Sequence, residues 1–216
     1  GSGSQSIRFE GGRIASHLAL EDTTMIDVDP SNGTPGLELH GNPLYCGRAL
    51  CVFTMSVAGL VIGGAYNALD EYENWLRNKL TPLPPMIKRT EDPDFQRWYG
   101  LAAAQIGTAE AAVMHCAERN MEYCRLQAAG ERAYTWEDDL YLSTIAREAI
   151  IQAWQAVENH LYRTIGSSAA KSGERFERVY RDLAMAAGHR NTMMRDPLVR
   201  QLAQLRLGVV PAGMQR

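Results

Sequence analysis

The feature that most constrains this chain is the run Ala49–Leu69, 21 consecutive residues without a charged side chain, which continues directly into Asp70-Glu71-Tyr72-Glu73. A helix that is apolar on every side belongs either in a bilayer or at the centre of a larger packed structure. The pair Gly59 and Gly63 has the GxxxG spacing of membrane helix dimers. Against a bilayer, five of the 21 residues are Gly, Ser or Thr, Asn67 lies among them, and the helical pattern runs on into acidic residues. The reading is therefore a bundle core with no membrane role. So much apolar surface exceeds what one chain hides, so the chain is expected to assemble into a homo-oligomer, a tetramer built from dimers.

The rest of the composition narrows the class further. The 216 residues carry a net charge of −3 with no block of like charge, which gives no footing for nucleic acid or an anionic membrane. The four cysteines, Cys46, Cys51, Cys116 and Cys124, have neither CxxC nor zinc-finger spacing, so no metal site is expected and a reducing, cytoplasmic setting is.

Two regions separate along the chain. Residues 1–42 read as the end of a β-domain and a linker. Ser6-Ile7-Arg8-Phe9-Glu10 alternates, Gly11-Gly12 turns, Arg13-Ile14-Ala15 starts a second strand, and turn formers fill Asp29–Gly36. Gly1-Ser2-Gly3-Ser4 reads as a linker, an expression scar or native sequence at the edge of a further domain. Residues 43–216 read as an α-helical bundle. The first helix runs from about Gly47 to Leu80 and stops at Pro82, Pro84 and Pro85. The second starts at Pro93 behind Asp92 as N-cap and keeps one apolar face to Gly130. The third opens with the capping box Thr135-x-x-Asp138 and reaches Gly166. A fourth covers about Gly173–Ala187, and a shorter one follows Pro197. The fold class is thus mainly α: an up-down four-helix bundle preceded by a short β remnant.

Few residues offer chemistry. No nucleophile elbow, P-loop or dinucleotide fingerprint occurs. His115 and His160 read as structural, and Glu137-Asp138-Asp139 as a charge run that suits a helix start. The richer stretch is Arg163–Thr192. Gly166-Ser167-Ser168-Ala169 breaks the chain with small residues and hydroxyls, which make either a helix stop or a phosphate-holding corner. Arg175, Arg178 and Arg181 share a helix face, and the helix ends at Gly188-His189, where the dipole of a C-terminus favours a charged imidazole.

Four sets of residues carry a family resemblance: Asn42-Pro43-Leu44-Tyr45; Gly63-Gly64-Ala65-x-x-Ala68-Leu69-Asp70; Gly166-Ser167-Ser168-Ala169; and Arg178-x-x-Arg181-Asp182 with His189 seven residues on. In order and spacing the chain resembles the C-terminal part of the flavin-dependent monooxygenases of the acyl-CoA dehydrogenase fold, the group of 4-hydroxyphenylacetate 3-hydroxylase and dibenzothiophene monooxygenase. The resemblance implies an oxygenase component that takes reduced FAD or FMN from a separate flavin reductase and hydroxylates an aromatic or other small substrate through a C4a-hydroperoxyflavin. It also implies that the chain is part of a longer enzyme. It assigns His189 to the catalytic position beside flavin and substrate. Gly166, Ser167 and Ser168 fall to the flavin phosphate, and Arg77 or Lys79 to a neighbouring subunit's flavin. Two alternatives remain open. One is an acyl-CoA dehydrogenase-like flavoprotein, whose Glu base has no counterpart near His189. The other is a non-catalytic helical subunit that completes a flavin site with another chain.

Overall fold

The computed structural model describes residues 5–19, 26 and 28–209. Gly1-Ser2-Gly3-Ser4 lies outside the described residues. The chain is helical from Pro35 onward. The short α1 (Pro35–His40) leads into α2 (Ala49–Asn78), α3 (Pro93–Ala128) and α4 (Trp136–Ala156). α4 continues through one π-helical turn, Val157–Tyr162, into α5 (Arg163–Ile165). The chain ends in α6 (Arg175–Ala187), α7 (Arg190–Met193) and α8 (Arg195–Arg206).

The mainly helical class is as expected, but the strands foreseen in residues 6–15 are not formed. Residues 5–15 are exposed and carry no strand. A strand needs a ladder partner, and an isolated pair is marginal in water; alternation alone supplies neither.

The caps of α3 and α4 follow from local sequence. Asp92 accepts from the amides of Asp94 and Phe95, with Pro93 in the first turn. Thr135 and Asp138 form the reciprocal capping box. α2 is different, since Arg48 at its N-cap position offers no side-chain acceptor. The acceptor comes from α4 instead: Asp139, fully buried, takes the amides of Leu50 at 3.2 Å and Cys51 at 2.8 Å. At the other end of α2, Arg89 closes the chain. Its amide donates to the Lys79 carbonyl, its Nε to Leu80 and its Nη1 to the Ile165 carbonyl at 2.7 Å.

These contacts fix the topology. Cys51 meets Asn120 near the end of α3, so α2 and α3 are antiparallel. Asp139 at the start of α4 meets the start of α2, so α2 and α4 run the same way. Arg175 pairs with Glu71 at 3.0 Å while Leu183 packs at Gly64, so α6 runs back along α2. A Cβ on Gly64 would stand 2.8 Å from Leu183 Cδ2; glycine is what lets the two helices approach here.

The core joins Ala58, Val61, Ile62, Ala65, Ala68, Leu69 and Tyr72 of α2 to Ile106 and Ala109 of α3, Ile150 and Val157 beyond, and Phe176 and Leu183 of α6. The small residues let three long helices pack closely, and each large one buries about 1.5–3 kcal/mol of apolar transfer energy. Tyr72 hydrogen-bonds Thr164 at 2.7 Å, and burial pushes its phenol up to about 12. α2 is long and apolar enough to cross a membrane, with a mean hydropathy of 1.8 in its most apolar window. In this fold its inner face is the bundle core. Its outer face is another matter, because Val52, Phe53 and Leu60 are exposed, Leu60 at 78%.

Candidate functional site

Two grooves and a corner hold the residues singled out by the sequence. The seam between α2 and α6 opens into a cleft of about 370 Å³ lined by Val57, Leu60, Val61, Asp182, Met185, Ala186 and His189. It runs into a second hollow that adds Gly64, Asn67 and Val179. The walls are apolar, and Asp182 and His189 are the two ionisable side chains on the first cleft's rim. That composition orients a small, largely apolar molecule by a few polar contacts.

His189 directly follows the Gly188 C-cap of α6, as its sequence context implied, and it takes on a second task. α6 ends at Ala187, and His189 is the N-cap of α7, with its Nδ1 accepting the Asn191 amide at 3.1 Å. The imidazole thus stands between the end of α6 and the start of α7. An acceptor Nδ1 carries no proton, so the exchangeable proton sits on Nε2, the nitrogen left for a ligand.

The Gly166 corner lies at the other end of α6. Gly166 ends the α4–α5 helix at φ 99°, a left-handed conformation that glycine tolerates, and Ala169 and Ala170 close the turn onto the carbonyls of Gly166 and Ser167. Gly166, Ser167 and Ser168 are exposed. The guanidinium of Arg89 sits behind them, 3.8 Å from where a Cβ on Gly166 would stand. Hydroxyls, a glycine turn and a cation together suit an anionic group such as a phosphate. α6, 13 residues and about 20 Å long at 1.5 Å per residue, lies in the chain between the corner and His189.

Arg77 and Lys79 are exposed at the end of α2. Arg77 pairs with Glu73 at 2.5 Å, and Tyr99 donates to the same carboxylate at 2.9 Å. The Arg77 bond, and then that of Tyr99, hold the Glu73 carboxyl below its usual range. Lys79 lies over the Trp75 ring at 5.1 Å. Leu60, in the His189 cleft, and Arg77 are 17 positions apart on α2, about 25 Å along its axis. Within one chain the fold does not bring Arg77 or Lys79 to His189.

Sequence reasoning missed a buried polar cluster. Asp139 and Arg147, 0% and 4% exposed, lie on α4 with Ser143 between them, and Cys51, Thr54, Asn120 and Tyr134 close the group. Burial, more than anything, pushes the Asp139 carboxyl up against the opposing amide bonds, pushes the Cys51 thiol and Tyr134 phenol up, and brings Arg147 down to about 10. The available signal was register, because positions 139, 143 and 147 recur at four-residue spacing on the apolar face of α4.

The profile described as acyl-CoA dehydrogenase, C-terminal domain, matches residues 55–194, which span α2 through α7. The chain belongs to that family. Solved structures of similar fold include 3-HSA hydroxylase from Rhodococcus sp. RHA1 (19% identity, TM-score 0.69, covering 85% of this chain and 46% of that one). XiaF from Streptomyces sp. in complex with FADH2 and glycerol aligns at 19% identity and TM-score 0.70, over 86% of this chain and 45% of that one. Dibenzothiophene monooxygenase TdsC from Paenibacillus sp. A11-2 aligns at 26% identity and TM-score 0.58, over 83% and 46%. TdsC has also been solved bound to FMN. The chain spans less than half the length of these structures. No curated protein matches it significantly. As an acyl-CoA dehydrogenase C-terminal domain, the chain has its α2–α6 seam and the turn that carries His189 inside the matched region.

Proposed function

We propose that this chain is the C-terminal helical part of the oxygenase component of a two-component flavin-dependent monooxygenase. Residues 43–216 would be the helical domain and 1–42 the end of a β-domain and linker. A separate reductase would deliver reduced FAD or FMN, and the substrate would be an aromatic or other small molecule. The carrying observation is His189 on the rim of an apolar cleft, with Nδ1 committed to Asn191 and Nε2 left to act. Structures of the same fold include one named a hydroxylase and one a monooxygenase, and XiaF and the monooxygenase were each solved with flavin; these support the reading.

Reduced flavin, when bound, supplies the oxygen chemistry. The chain's own residues do the rest. Val57, Leu60, Val61, Met185 and Ala186 supply the apolar wall against which a flat apolar molecule would lie. His189 Nε2–H, with Nδ1 held as an acceptor, donates a hydrogen bond to an oxygen at the rim. Ser167, Ser168 and the Gly166 turn fit a phosphate end. Arg77 and Lys79, too far from His189 in the same chain, are assigned to a neighbouring subunit's flavin within a homotetramer. Four unpaired cysteines suit a reducing cytoplasm.

The test is His189→Ala in an enzyme that carries this chain together with the rest of the flavin site. A donor aimed at developing negative charge is worth roughly 10²–10³ in rate, whereas losing an N-cap costs about 0.5–2 kcal/mol. Product formed per flavin oxidised should collapse while hydrogen peroxide rises, with the melting temperature down by only a few degrees. Wild-type coupling and turnover would reduce His189 to a helix cap.

One observation favours a second reading. Asp182 lines both hollows beside His189, and a carboxylate there is what removal of an α-proton from a thioester requires, as in acyl-CoA dehydrogenation. Asp182→Asn would abolish such an activity and leave hydroxylation largely intact.

A further inference from the structure

The turn that carries His189 is short. α7 has four residues, begins at His189 and is joined to α8 through Met194. A helix this brief does not hold its own shape. The Asn191 side-chain oxygen is buried without a donor, so the side chain at the centre of α7 does not anchor the turn through that atom. What reaches the turn from the bundle is Arg147 of α4. Its Nε donates to the Asn191 carbonyl at 3.1 Å, and its Nη1 donates to the Ser143 carbonyl at 3.2 Å and to the Ser143 hydroxyl. One guanidinium thus bonds a long helix with one hand and the α7 turn with the other, and its planar fork fixes the angle between them.

We propose that Arg147 is a positioning residue for His189: by holding the Asn191 carbonyl it fixes the amide that His189 Nδ1 accepts, and so aims Nε2 at the α2–α6 cleft. The inference rests on the reading of His189 as the hydrogen-bond donor of that cleft. The chain of contacts is continuous: Ser143 and Arg147 on α4, the Asn191 carbonyl, the Asn191 amide, and the imidazole. Arg147 lines neither hollow; it acts through the Asn191 backbone, whose C=O and N–H lie in the peptide units on either side of its Cα. Burial works against the charged guanidinium, and Asp139 on the same helix face offsets part of that cost.

The experiment is native-state amide hydrogen exchange on the full 216-residue chain, reading Asn191 against Ile150 in the centre of α4. In Arg147→Met the Asn191 amide should exchange faster by about tenfold or more relative to Ile150, the loss of one charge-assisted hydrogen bond. The two-bond nitrogen spectrum of the His189 ring, assigned by its disappearance in His189→Ala, should move toward that of free histidine. Ile106→Ala, a core truncation in α3, controls for lost stability; it should speed exchange at Ile150 at least as much as at Asn191, so the Asn191-to-Ile150 ratio does not rise. Should Arg147→Met not fold, Arg147→Lys keeps the buried charge with a single donor nitrogen and should raise the ratio by about threefold. An unchanged ratio with an unchanged ring spectrum overturns the proposal. Coupling in the assembled enzyme separates the two ideas. A loosened Asn191 with wild-type coupling leaves the positioning intact and refutes the role of His189. An uncoupled His189→Ala beside an unmoved ratio in the Arg147 variant refutes the positioning alone.

Discussion

Asp139 shows how a single side chain can stand in for a local cap. It sits in the first turn of its own helix, but its two oxygens serve the first amides of α2. Asp139→Ala leaves both donors buried and unpaired and removes the neighbouring charge from Arg147, for a loss of about 3 kcal/mol. In a chain of this size that lowers the melting temperature by roughly 6–12 °C. Burial raises the carboxyl, so the folded state binds its proton more tightly than the unfolded chain, whose carboxyl titrates near about 3.9. This group's contribution to stability is therefore greatest below that value and declines as pH rises through the raised folded value. Asp139→Asn should remove that decline, so stability curves for the two proteins measured from pH 4 upward should converge or cross. Parallel curves would show that the carboxyl stays ordinary. The acidic run Glu137-Asp138-Asp139 was legible only as a helix start. Glu137 pairs with Arg206 and Asp138 makes the capping box, while Asp139 turns inward. Composition cannot separate the three; their phase on the helix does.

Among the elements, α2 is the one with a face still open. Val52, Phe53, Ser56, Gly59, Leu60 and Gly63 fall on its outer side, and a Cβ at Gly59 or Gly63 would meet nothing within 4 Å. A charge-free stripe of this kind suits a second copy of the chain. The wild-type chain should therefore be larger than a monomer by light scattering at micromolar concentration. Leu60→Glu, placing a charge in that contact, should weaken association by roughly 100-fold and leave the monomer's helicity unchanged. A monodisperse wild-type monomer would refute it. Helix starts at Asp92 and Thr135, the stops after Asn78 and at Gly166, and the apolar stripes were all readable because each is written within a few residues. The strands expected at residues 6–15 were not, because a strand is completed by residues far away in sequence. The interruption of the third long helix by a π turn at Val157–Tyr162 also has no local signature in the sequence.

At the scale of the whole molecule, the proposed site residues lie in separate places. The Gly166 corner and His189 lie beyond opposite ends of α6, and the corner shares Arg89 with the Lys79 carbonyl at the end of α2. The sequence brought these residues to notice by motif and resemblance, but their distances depend on how helices pack, which no motif records. One chain presents open walls, so titrating FMN or FAD, oxidised or reduced, into the 216-residue chain alone should show no saturation below about 100 μM. Together with the rest of the flavin site, binding should tighten to the micromolar range. Tight binding by the chain alone would mean the pocket lies within it. The means by which α2 is closed has a further consequence, for the order in which the chain folds. α3 and α4 carry their own start signals and can begin as soon as they are made. α2 has its first amides answered by a residue 89 positions away, and its end sealed by Arg89 together with the last turn of α5. The helix made first is thus the one that must wait, its 30 residues becoming persistently ordered only when the chain has been made as far as Ile165 and the bundle closes around it.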